Sequence, residues 1–369
     1  MNIRSLLLYV CIFPAALLNA QVKNIVAKDS TAAMQKIADD VYVIIHENAS
    51  DEWPHGNTGV IVGEDGILVV DACYLPSRAK ADIALIRSIS SKPVKYLVYT
   101  HWHMDHNNGG IEYKNAFPSI QIISERQTAE FIEINSTWWD KYSTVPGSKR
   151  IASDKELEDE LAIGKDTVTG KPFSPEETAR RKKVIAQRQN EKKELADLTV
   201  VKPNRVFDGK LILALGKKQI VLRDNGRANS LHDVTIYIPG EKILFTGDLV
   251  VQDPLPYVGA SYPAYWLPVL DTLIKMNAGI IVPGHGPVMY NYDYINKIKN
   301  FFQEVSRRAG VALSEGQDRD AFIASLNLDE YRTGVWQKSA AAPDDDWNYT
   351  ISTLAFRMWN TIRGQEPGK

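Results

Sequence analysis

The feature that most constrains this chain is a group of histidine and aspartate residues directly after an apolar segment. Residues 94–99 read Val-Lys-Tyr-Leu-Val-Tyr, which is typical of a β-strand. The next residues read Thr-His-Trp-His-Met-Asp-His and supply His101, His103, Asp105 and His106. Zinc prefers such nitrogen and oxygen ligands, and alternating side chains in a tight loop can face two neighbouring ions. We expect His101 and His103 to face one ion and the other two residues to face the second.

Two further segments place possible metal ligands after apolar strands. Asp248 ends a Phe-Thr-Gly-Asp segment, and His285 lies in a Gly-His-Gly-Pro turn. The chain has seven histidines, and three of them lie in the segment described above, so a chance surface cluster is a poor explanation. Ligand-type side chains at the ends of three strands are expected where a site lies along one edge of a β-sandwich.

Short apolar segments separated by turn residues predict a mixed α/β fold. Helical periodicity is found near residues 77–90 and 265–278. Two such αβ halves indicate one large domain, because 369 residues with 44% hydrophobic content can bury a sizeable core. The predicted strands cover residues 41–45, 58–62, 67–70, 94–99, 120–123, 210–213, 219–222, 234–238, 243–245 and 279–282.

Two helical regions interrupt or follow this pattern. The region from about residue 130 to 200 is predicted to be a helical insertion. Within it, residues 176–194 include eleven charged residues, seven of them basic, which is typical of a solvated helix face. From about residue 290 to 369 we expect a C-terminal helical extension. It closes with an acidic turn at residues 344–346 ahead of an apolar stripe that should be buried: Trp347, Ile351, Leu354 and Met358.

The first twenty residues have the pattern of a signal peptide. Arg4 precedes an apolar segment from Leu6 to Leu18, and Ala20 would end the cleaved part. This segment is shorter than the roughly 20 residues of a membrane-spanning helix. We therefore expect residues 21–369 to be periplasmic or secreted, without stable membrane insertion after cleavage. An uncleaved anchor is the alternative.

Composition excludes some partners and a disulfide framework. Lysine and arginine number 43 against 45 acidic residues, so the net charge is −2 and lacks the positive field that nucleic-acid binding needs. We expect a small-molecule substrate and no nucleic-acid partner. Cys73 is the only cysteine after the predicted signal, so no internal disulfide can form. Because Cys73 follows an apolar strand, we interpret it as a buried structural thiol rather than a nucleophile.

The motifs resemble those of the metallo-β-lactamase superfamily in type and in order. They are His-x-His-x-Asp-His, then Thr-Gly-Asp, then Pro-Gly-His-Gly-Pro, and the resemblance runs from about residue 41 to 287 without the insertion. It implies an αββα sandwich that binds two zinc ions, with Asp248 bridging them. His285 would complete the second site with Asp105 and His106. Asp71 resembles the buried aspartate that orients the histidine segment.

One position departs from the family pattern. The superfamily usually has a third histidine for the first ion, nineteen residues before the bridging aspartate, and that position is Asn229 here. Either Asn229 supplies a weak oxygen ligand or hydrogen bond, or His232, three residues later, replaces the missing imidazole. With Asn229 in this position, the first ion should bind more weakly than usual. His232 could also be a surface residue without a metal role.

The zinc chemistry predicts hydrolysis by a metal-bound hydroxide, since zinc lowers the pKa of bound water toward about 7. Asp105 and Asp248 would orient the hydroxide and act as the catalytic residues. Asp248 stands where zinc β-lactamases have Cys or Ser, so we expect a small ester, thioester or lactone first, a β-lactam second and a phosphodiester third. Trp138 and Trp139 in the insertion would either cover the cleft or belong to the core. A catalytically impaired metal-binding protein is the non-enzymatic alternative.

Overall fold

The computed structural model describes residues 24–26, 32–49, 54–135, 154–167, 170–252, 255–335 and 344–365. It contains two β-sheets that pack face to face, with helices on the outer face of each. The αββα sandwich predicted from the sequence is therefore confirmed. The predicted signal peptide and the Trp138 and Trp139 pair lie outside the described residues.

The first sheet has eight strands in sequence order. The pairings up to β4–β5 are antiparallel and those from β5–β6 onward are parallel. The sequence prediction missed the first two strands and the last one, whose segments lack a long apolar stretch and are strands because they pair with a neighbour. The strands are β1 (Asn24–Val26), β2 (Ala32–Ala38), β3 (Val41–His46), β4 (Thr58–Val62), β5 (Ile67–Val70), β6 (Val94–Val98), β7 (Gln121–Glu125) and β8 (Arg205–Phe207).

The second sheet has five strands in the order β13-β12-β11-β10-β9. Only the pair β12–β13 is parallel within this sheet. Its strands are β9 (Lys210–Leu215), β10 (Lys218–Asp224), β11 (Val234–Ile238), β12 (Ile243–Phe245) and β13 (Ile280–Val282). Each contains a strand that the sequence predicted.

Helices cover both faces and the predicted insertion. The described α-helices are α1 (Pro76–Ile89), α2 (Met104–Asn107), α3 (Gly110–Ala116), α4 (Arg126–Asn135), α5 (Asp154–Ile163), α6 (Pro175–Ala196), α7 (Pro263–Met276), α8 (Asp293–Ser314), α9 (Arg319–Ser325), α10 (Asp329–Val335) and α11 (Asp344–Ile362), with a short 3-10 helix at Gly247–Leu249. Among the described residues, no helix combines the length and the apolar character that crossing a membrane requires. α6 is mostly exposed, as its charge pattern predicted, and buries only Ile185 and Arg188.

The sandwich holds three apolar layers. The central layer joins residues of both sheets, such as Val43 and Val98 from the first and Ile236 from the second. The outer face of the first sheet packs against α1 through Ala79 and Ile83. Because β5 is covered on both faces, all four of its residues are buried and its sequence does not alternate.

The C-terminal helices cover the outer face of the second sheet. The predicted stripe on α11 is buried, and its first residue, Trp347, stacks on Phe301 of α8 with ring centroids 5.5 Å apart. Trp266 of α7 is fully buried and donates its indole N–H to the Leu249 carbonyl at 3.1 Å. This bond ties α7 to the segment that follows β12, so the helical layer supports the turn that carries Asp248.

Candidate metal centre

Three strand ends meet at one edge of the sandwich. β6 ends shortly before His101, β12 shortly before Asp248 and β13 shortly before His285. β12 and β13 are parallel neighbours, so their carboxyl ends lie side by side. The backbone amide of Val234 donates to the Thr100 carbonyl at 2.8 Å, which joins the second sheet to the end of β6. The three predicted ligand segments therefore converge.

The first group of donors consists of His101, His103 and Asp248. All three are buried, and their ligand atoms lie within 4.8 Å of one another. Nε2 of His101 is 2.8 Å from Nδ1 of His103 and 3.6 Å from Oδ2 of Asp248. The sequence predicted these three residues as ligands of the first ion, with Asn229 or His232 in the remaining position.

The second group consists of Asp105, His106, Asp248 and His285, whose ligand atoms also lie within 4.8 Å of one another. Nε2 of His285 is 3.0 Å from Oδ2 of Asp105 and 3.1 Å from Nε2 of His106. Oδ1 of Asp248 is 3.1 Å from Nε2 of His106 and 3.4 Å from Nε2 of His285. Asp248 thus presents Oδ1 to the second group and Oδ2 to the first, which is the arrangement of a carboxylate shared by two sites.

The donor atoms of these groups fit a metal better than they fit one another. His106 donates its Nδ1–H to Oδ2 of Asp71 at 2.8 Å, so in the neutral ring that a metal requires, Nε2 carries the electron pair and points at the other donors. A second imidazole nitrogen, Nε2 of His285, faces that electron pair. Nε2 of His103 is buried without a hydrogen bond among the described residues. Converging imidazole nitrogens and carboxylate oxygens are the ligand set of zinc.

Charge within the cluster also suits a cation. Burial and the neighbouring His106 lower the pKa of His101 well below its usual range, and burial lowers the pKa of His103 to about 4. Both are therefore neutral at pH 7, as metal ligands must be. Burial opposes protonation of His285, yet the Asp248 carboxylate raises the pKa of His285 to about 9. Although burial alone would raise it, the charges that His106 and His285 carry when they are protonated hold the pKa of the Asp248 carboxyl well below its usual range.

The ligand segment after β6 is only partly the loop that the sequence predicted. His101 lies in a bend and His103 has extended backbone, whereas Asp105 and His106 lie on the single helical turn α2, which follows His103 at φ −63° and ψ 141°. The expectation that a loop presents all four side chains is therefore wrong. The bend and His103 present the two histidines to the first group, and the start of a helical turn directs Asp105 and His106 to the second group.

Asp71 has the role that the family resemblance implied. It is buried, and its carboxylate accepts hydrogen bonds from the Thr100 backbone amide and hydroxyl, both at 2.8 Å, in addition to that from His106. Its backbone has φ 60°, a left-handed conformation that aspartate tolerates better than most residues. Asp71 therefore anchors the end of β6 and orients the His106 ring at the same time.

The two candidates for the place of the missing third histidine have different surroundings in the structure. Asn229 is fully buried, and neither atom of its amide has a hydrogen-bond partner among the described residues. Burial raises the pKa of the Asp233 carboxyl to about 7, and the Asn229 side chain is one of the neighbours that oppose this rise. His232 instead places Nδ1 3.1 Å from both carboxylate oxygens of Asp224 and 3.9 Å from Glu125. His232 belongs to neither donor group. His232 is therefore engaged away from both donor groups, whereas a contact between Asn229 and the first ion stays a prediction.

The turn His55-Gly56-Asn57, which lies directly before β4, was not identified from the sequence. This turn hydrogen-bonds to the segments that carry Asp105 and His285. The Gly56 amide donates to the Asp105 carbonyl at 3.1 Å, and the Asn57 amide donates to the Gly284 carbonyl at 2.7 Å. The Asn57 side chain also donates to two carbonyls on either side of His285, those of Pro283 and Gly286, each at 2.9 Å. The only local signal is a glycine between two polar residues before a buried strand, and its partners are distant in sequence.

A cleft of about 250 Å³ opens beside the second group. Its lining includes His285 and the missed turn, together with apolar Ile45 and Pro287; the full lining is Ile45, His46, Asn48, His55, Asn57, His285, Gly286 and Pro287. A larger and more open depression lies at Lys114 and Arg205 and contains no predicted site residue. The cleft beside His285 is therefore the relevant one for a small ligand.

Two curated relatives match the chain over part of their own length. It is 24% identical over 255 residues to a linear primary-alkylsulfatase of Pseudomonas sp. (strain ATCC 19151), covering 65% of this chain and 43% of that protein. It is 22% identical over 281 residues to the 2,4-dinitroanisole O-demethylase subunit alpha of Nocardioides sp. (strain JS1661), covering 75% of this chain and 61% of that protein. The chain thus spans about half the length of the curated relatives it matches.

Solved structures share the fold at low sequence identity. The metallo-beta-lactamase from Pontibacter korlensis has a TM-score of 0.51 and 17% identity, covering 74% of this chain and 99% of that protein. FIM-1 from Pseudomonas aeruginosa, solved in its mono-zinc form, has a TM-score of 0.51 and 14% identity, covering 74% of this chain and 96% of that protein. The sequence profile of the Metallo-beta-lactamase superfamily matches residues 51–285, which is more than half of the chain. With the sandwich and the two donor groups in place, the chain belongs to the metallo-beta-lactamase superfamily.

Proposed function

We propose that this protein is a zinc-dependent hydrolase that cleaves an ester-type bond in a small molecule. The observation that carries the proposal is the position of Asp248, whose two carboxylate oxygens lie in two adjacent groups of buried donors. Such a pair of groups suits two ions, and zinc supplies an activated water near neutral pH and polarises the bond to be cleaved.

The donor residues would bind the two ions and orient the attacking water. His101, His103 and Asp248 would hold the first ion, with Asn229 as a weak fourth partner. Asp248 would also hold the second ion, with Asp105, His106 and His285. The carboxylates of Asp105 and Asp248 would orient the attacking water and accept its proton, since the groups are ionised: burial opposes ionisation, but the neighbouring His106 and His285 hold the pKa of each carboxyl below its usual range. No Ser or Cys nucleophile is required, because Cys73 is buried and burial raises the pKa of its thiol well above its usual range.

Asp248 and the cleft support the proposed substrate class. Aspartate at this position favours an ester, thioester or lactone over a β-lactam, since zinc β-lactamases have Cys or Ser there. The matched relative named as an alkylsulfatase adds sulfate esters to the candidates. A cleft of about 250 Å³ with apolar Ile45 and Pro287 on its wall suits a short acyl or alkyl group. A β-lactam is the second candidate and a phosphodiester the third.

We further propose that the mature protein is exported and begins at or near Gln21. The support is the pattern of the first twenty residues, with one basic residue ahead of a short apolar segment. N-terminal sequencing of periplasmic or secreted material tests this. Recovery of intact Met1 in the membrane fraction would contradict it.

Zinc analysis combined with a substrate panel tests the hydrolase. The panel contains 4-nitrophenyl butyrate, a thioester, a lactone, 4-nitrophenyl sulfate, nitrocefin and a phosphodiester. We expect between one and two zinc equivalents, loss of thermal stability on chelation, and the highest turnover on a carboxylic or sulfate ester. Asp248→Asn should lower both zinc content and turnover. Asp271→Asn, which removes an α7 carboxylate that pairs with Lys299, is the matched control.

Three outcomes would contradict the proposal. Protein without zinc whose melting is unchanged by a chelator would exclude the metal centre. Zinc-loaded protein that hydrolyses nothing in the panel would favour a binding protein. Turnover highest on nitrocefin would replace the ester with a β-lactam.

A further inference from the structure

His55 is a buried histidine beside the metal centre that the proposed mechanism does not use. It is 3% exposed and forms part of the wall of the cleft, together with His285. Its ring lies edge-on to Tyr74, with ring centroids 5.7 Å apart. A polar ring in such a position needs partners for both of its nitrogens.

The proton of the His55 ring can be assigned from its hydrogen bonds. The backbone amide of Tyr74 donates to Nδ1 at 3.3 Å. Because an amide can only donate, Nδ1 must carry the electron pair, and the single proton of a neutral ring must lie on Nε2. Burial, followed by the nearby His46, lowers the pKa of His55 well below its usual range, which agrees with a neutral ring.

Nε2–H of His55 is therefore a buried donor, and it has no acceptor among the described residues. A buried donor without an acceptor costs about 1–3 kcal/mol, so such groups in native proteins usually meet a ligand or a water. The turn that carries this donor is held firmly. His46 bonds the Gly56 carbonyl through Nδ1 at 3.0 Å and the Asp82 carboxylate through Nε2 at 2.9 Å.

We propose that Nε2–H of His55 binds an acceptor oxygen of the substrate in the cleft beside His285, at a position away from the bond that is cleaved. The proposal rests on the proposed hydrolase function and narrows its substrate class. The cleft that His55 lines also contains apolar Ile45 and Pro287 and polar Asn48 in its wall. A short ester whose acyl group carries a second oxygen, such as an ether or hydroxyl oxygen, satisfies both the donor and the apolar surface.

A pair of nearly isosteric substrates tests this preference. 4-Nitrophenyl methoxyacetate and 4-nitrophenyl butyrate differ by one ether oxygen in place of a methylene. The zinc-loaded protein should show a KM for the methoxyacetate that is about three- to tenfold lower, the range for one neutral hydrogen bond, after correction for the different intrinsic reactivity of the two esters. His55→Phe should remove the preference with unchanged zinc content, and kcat should stay within about twofold. His55→Gln, whose amide nitrogen can take the place of Nε2, should retain most of it.

Two results would overturn the assignment. One is an unchanged KM ratio in His55→Phe at normal zinc content. The other is an NMR spectrum of the ¹⁵N-histidine protein in which His55 carries its proton on Nδ1. If His55→Phe does not fold, the spectrum and His55→Gln decide alone.

The proposed role of His55 and the proposed hydrolase function can be tested separately. If the unmodified protein hydrolyses no member of the substrate panel, the hydrolase proposal fails, and binding of the two free acids still tests His55. Methoxyacetate should then shift the His55 Nε2 resonance and bind more tightly than butyrate, and His55→Phe should abolish the difference. Equal binding of both acids by the unmodified protein would reject the role of His55.

Discussion

Oδ2 of Asp71 lies 2.8 Å from Nδ1 of His106, and both side chains are buried at the metal centre. The same carboxylate binds the amide and hydroxyl of Thr100, which begins the ligand segment. Asp71, which lies outside both donor groups, thus holds both the Thr100 backbone and the His106 ring in position. Groups that support a ligand in this way typically change metal affinity when they are removed.

We expect Asp71→Asn to weaken zinc binding about 10- to 100-fold, because the His106 ring loses its charged acceptor. Asparagine tolerates the left-handed backbone at this position, so the fold should persist. Competition with a chromophoric chelator measures the affinity. Asp65→Asn, an exposed turn residue that pairs with Lys95, is the control and should leave affinity unchanged. Equal affinities in the two variants would exclude the supporting role of Asp71.

Gly284 is predicted to be intolerant of a side chain. A Cβ there would clash with Oδ1 of Asp248 and lie 2.7 Å from the backbone carbon of Gly247. Gly284→Ala should therefore displace the shared carboxylate, lower zinc content and destabilise the fold by about 1–3 kcal/mol. Gly310→Ala in α8 has open space around the new Cβ and should raise stability by about 0.5–1 kcal/mol. Chemical denaturation and metal analysis of both variants check this, and a fully loaded Gly284→Ala protein would contradict it.

Asn229 and His232 should differ in their effect on zinc. An amide oxygen is a poorer zinc ligand than imidazole, so Asn229→His should tighten the first site and move the stoichiometry toward two. His232→Ala should change zinc content little, since its Nδ1 is engaged by Asp224. Titration of zinc into each variant by calorimetry distinguishes them. Loss of zinc in His232→Ala with no gain in Asn229→His would reverse the assignment.

Glu304 should make stability depend on pH in the acid range. Hydrogen bonds from Arg307 and then Arg308 lower the pKa of Glu304 to about 2. A carboxyl whose folded-state pKa is depressed stabilises the fold fully above its unfolded pKa of about 4.5, and this contribution is lost as the pH falls toward 2. Glu304→Gln should therefore lower the free energy of unfolding by at most about 1 kcal/mol at pH 7. Urea titrations at pH 7 and pH 3 should show a smaller difference at pH 3; a larger one would refute the pairing.

The core strands and the ligand types could be predicted from sequence because their signals are local. An apolar segment such as residues 67–70 must be buried wherever it folds, and three histidines in one short segment restrict the chemistry before any contact is known. Strands β1, β2 and β8 were not predicted because their segments lack a long apolar stretch. They form strands because they pair with a neighbouring strand. The helical turn α2 escaped it because four residues give no readable periodicity.

The sequence by itself determined which residues could bind metal and in what order strands deliver them. Only the tertiary structure decided how they are used. His232 turns to Asp224, Asn57 ties the Gly284–Gly286 turn to the start of β4, and His55 is left with a donor facing no described acceptor. These contacts join residues that are distant in the chain, and hydrogen bonds depend on direction and on distances of a few tenths of an ångström. No local pattern encodes such geometry, because it arises only when separate strands are brought to one edge of the sandwich.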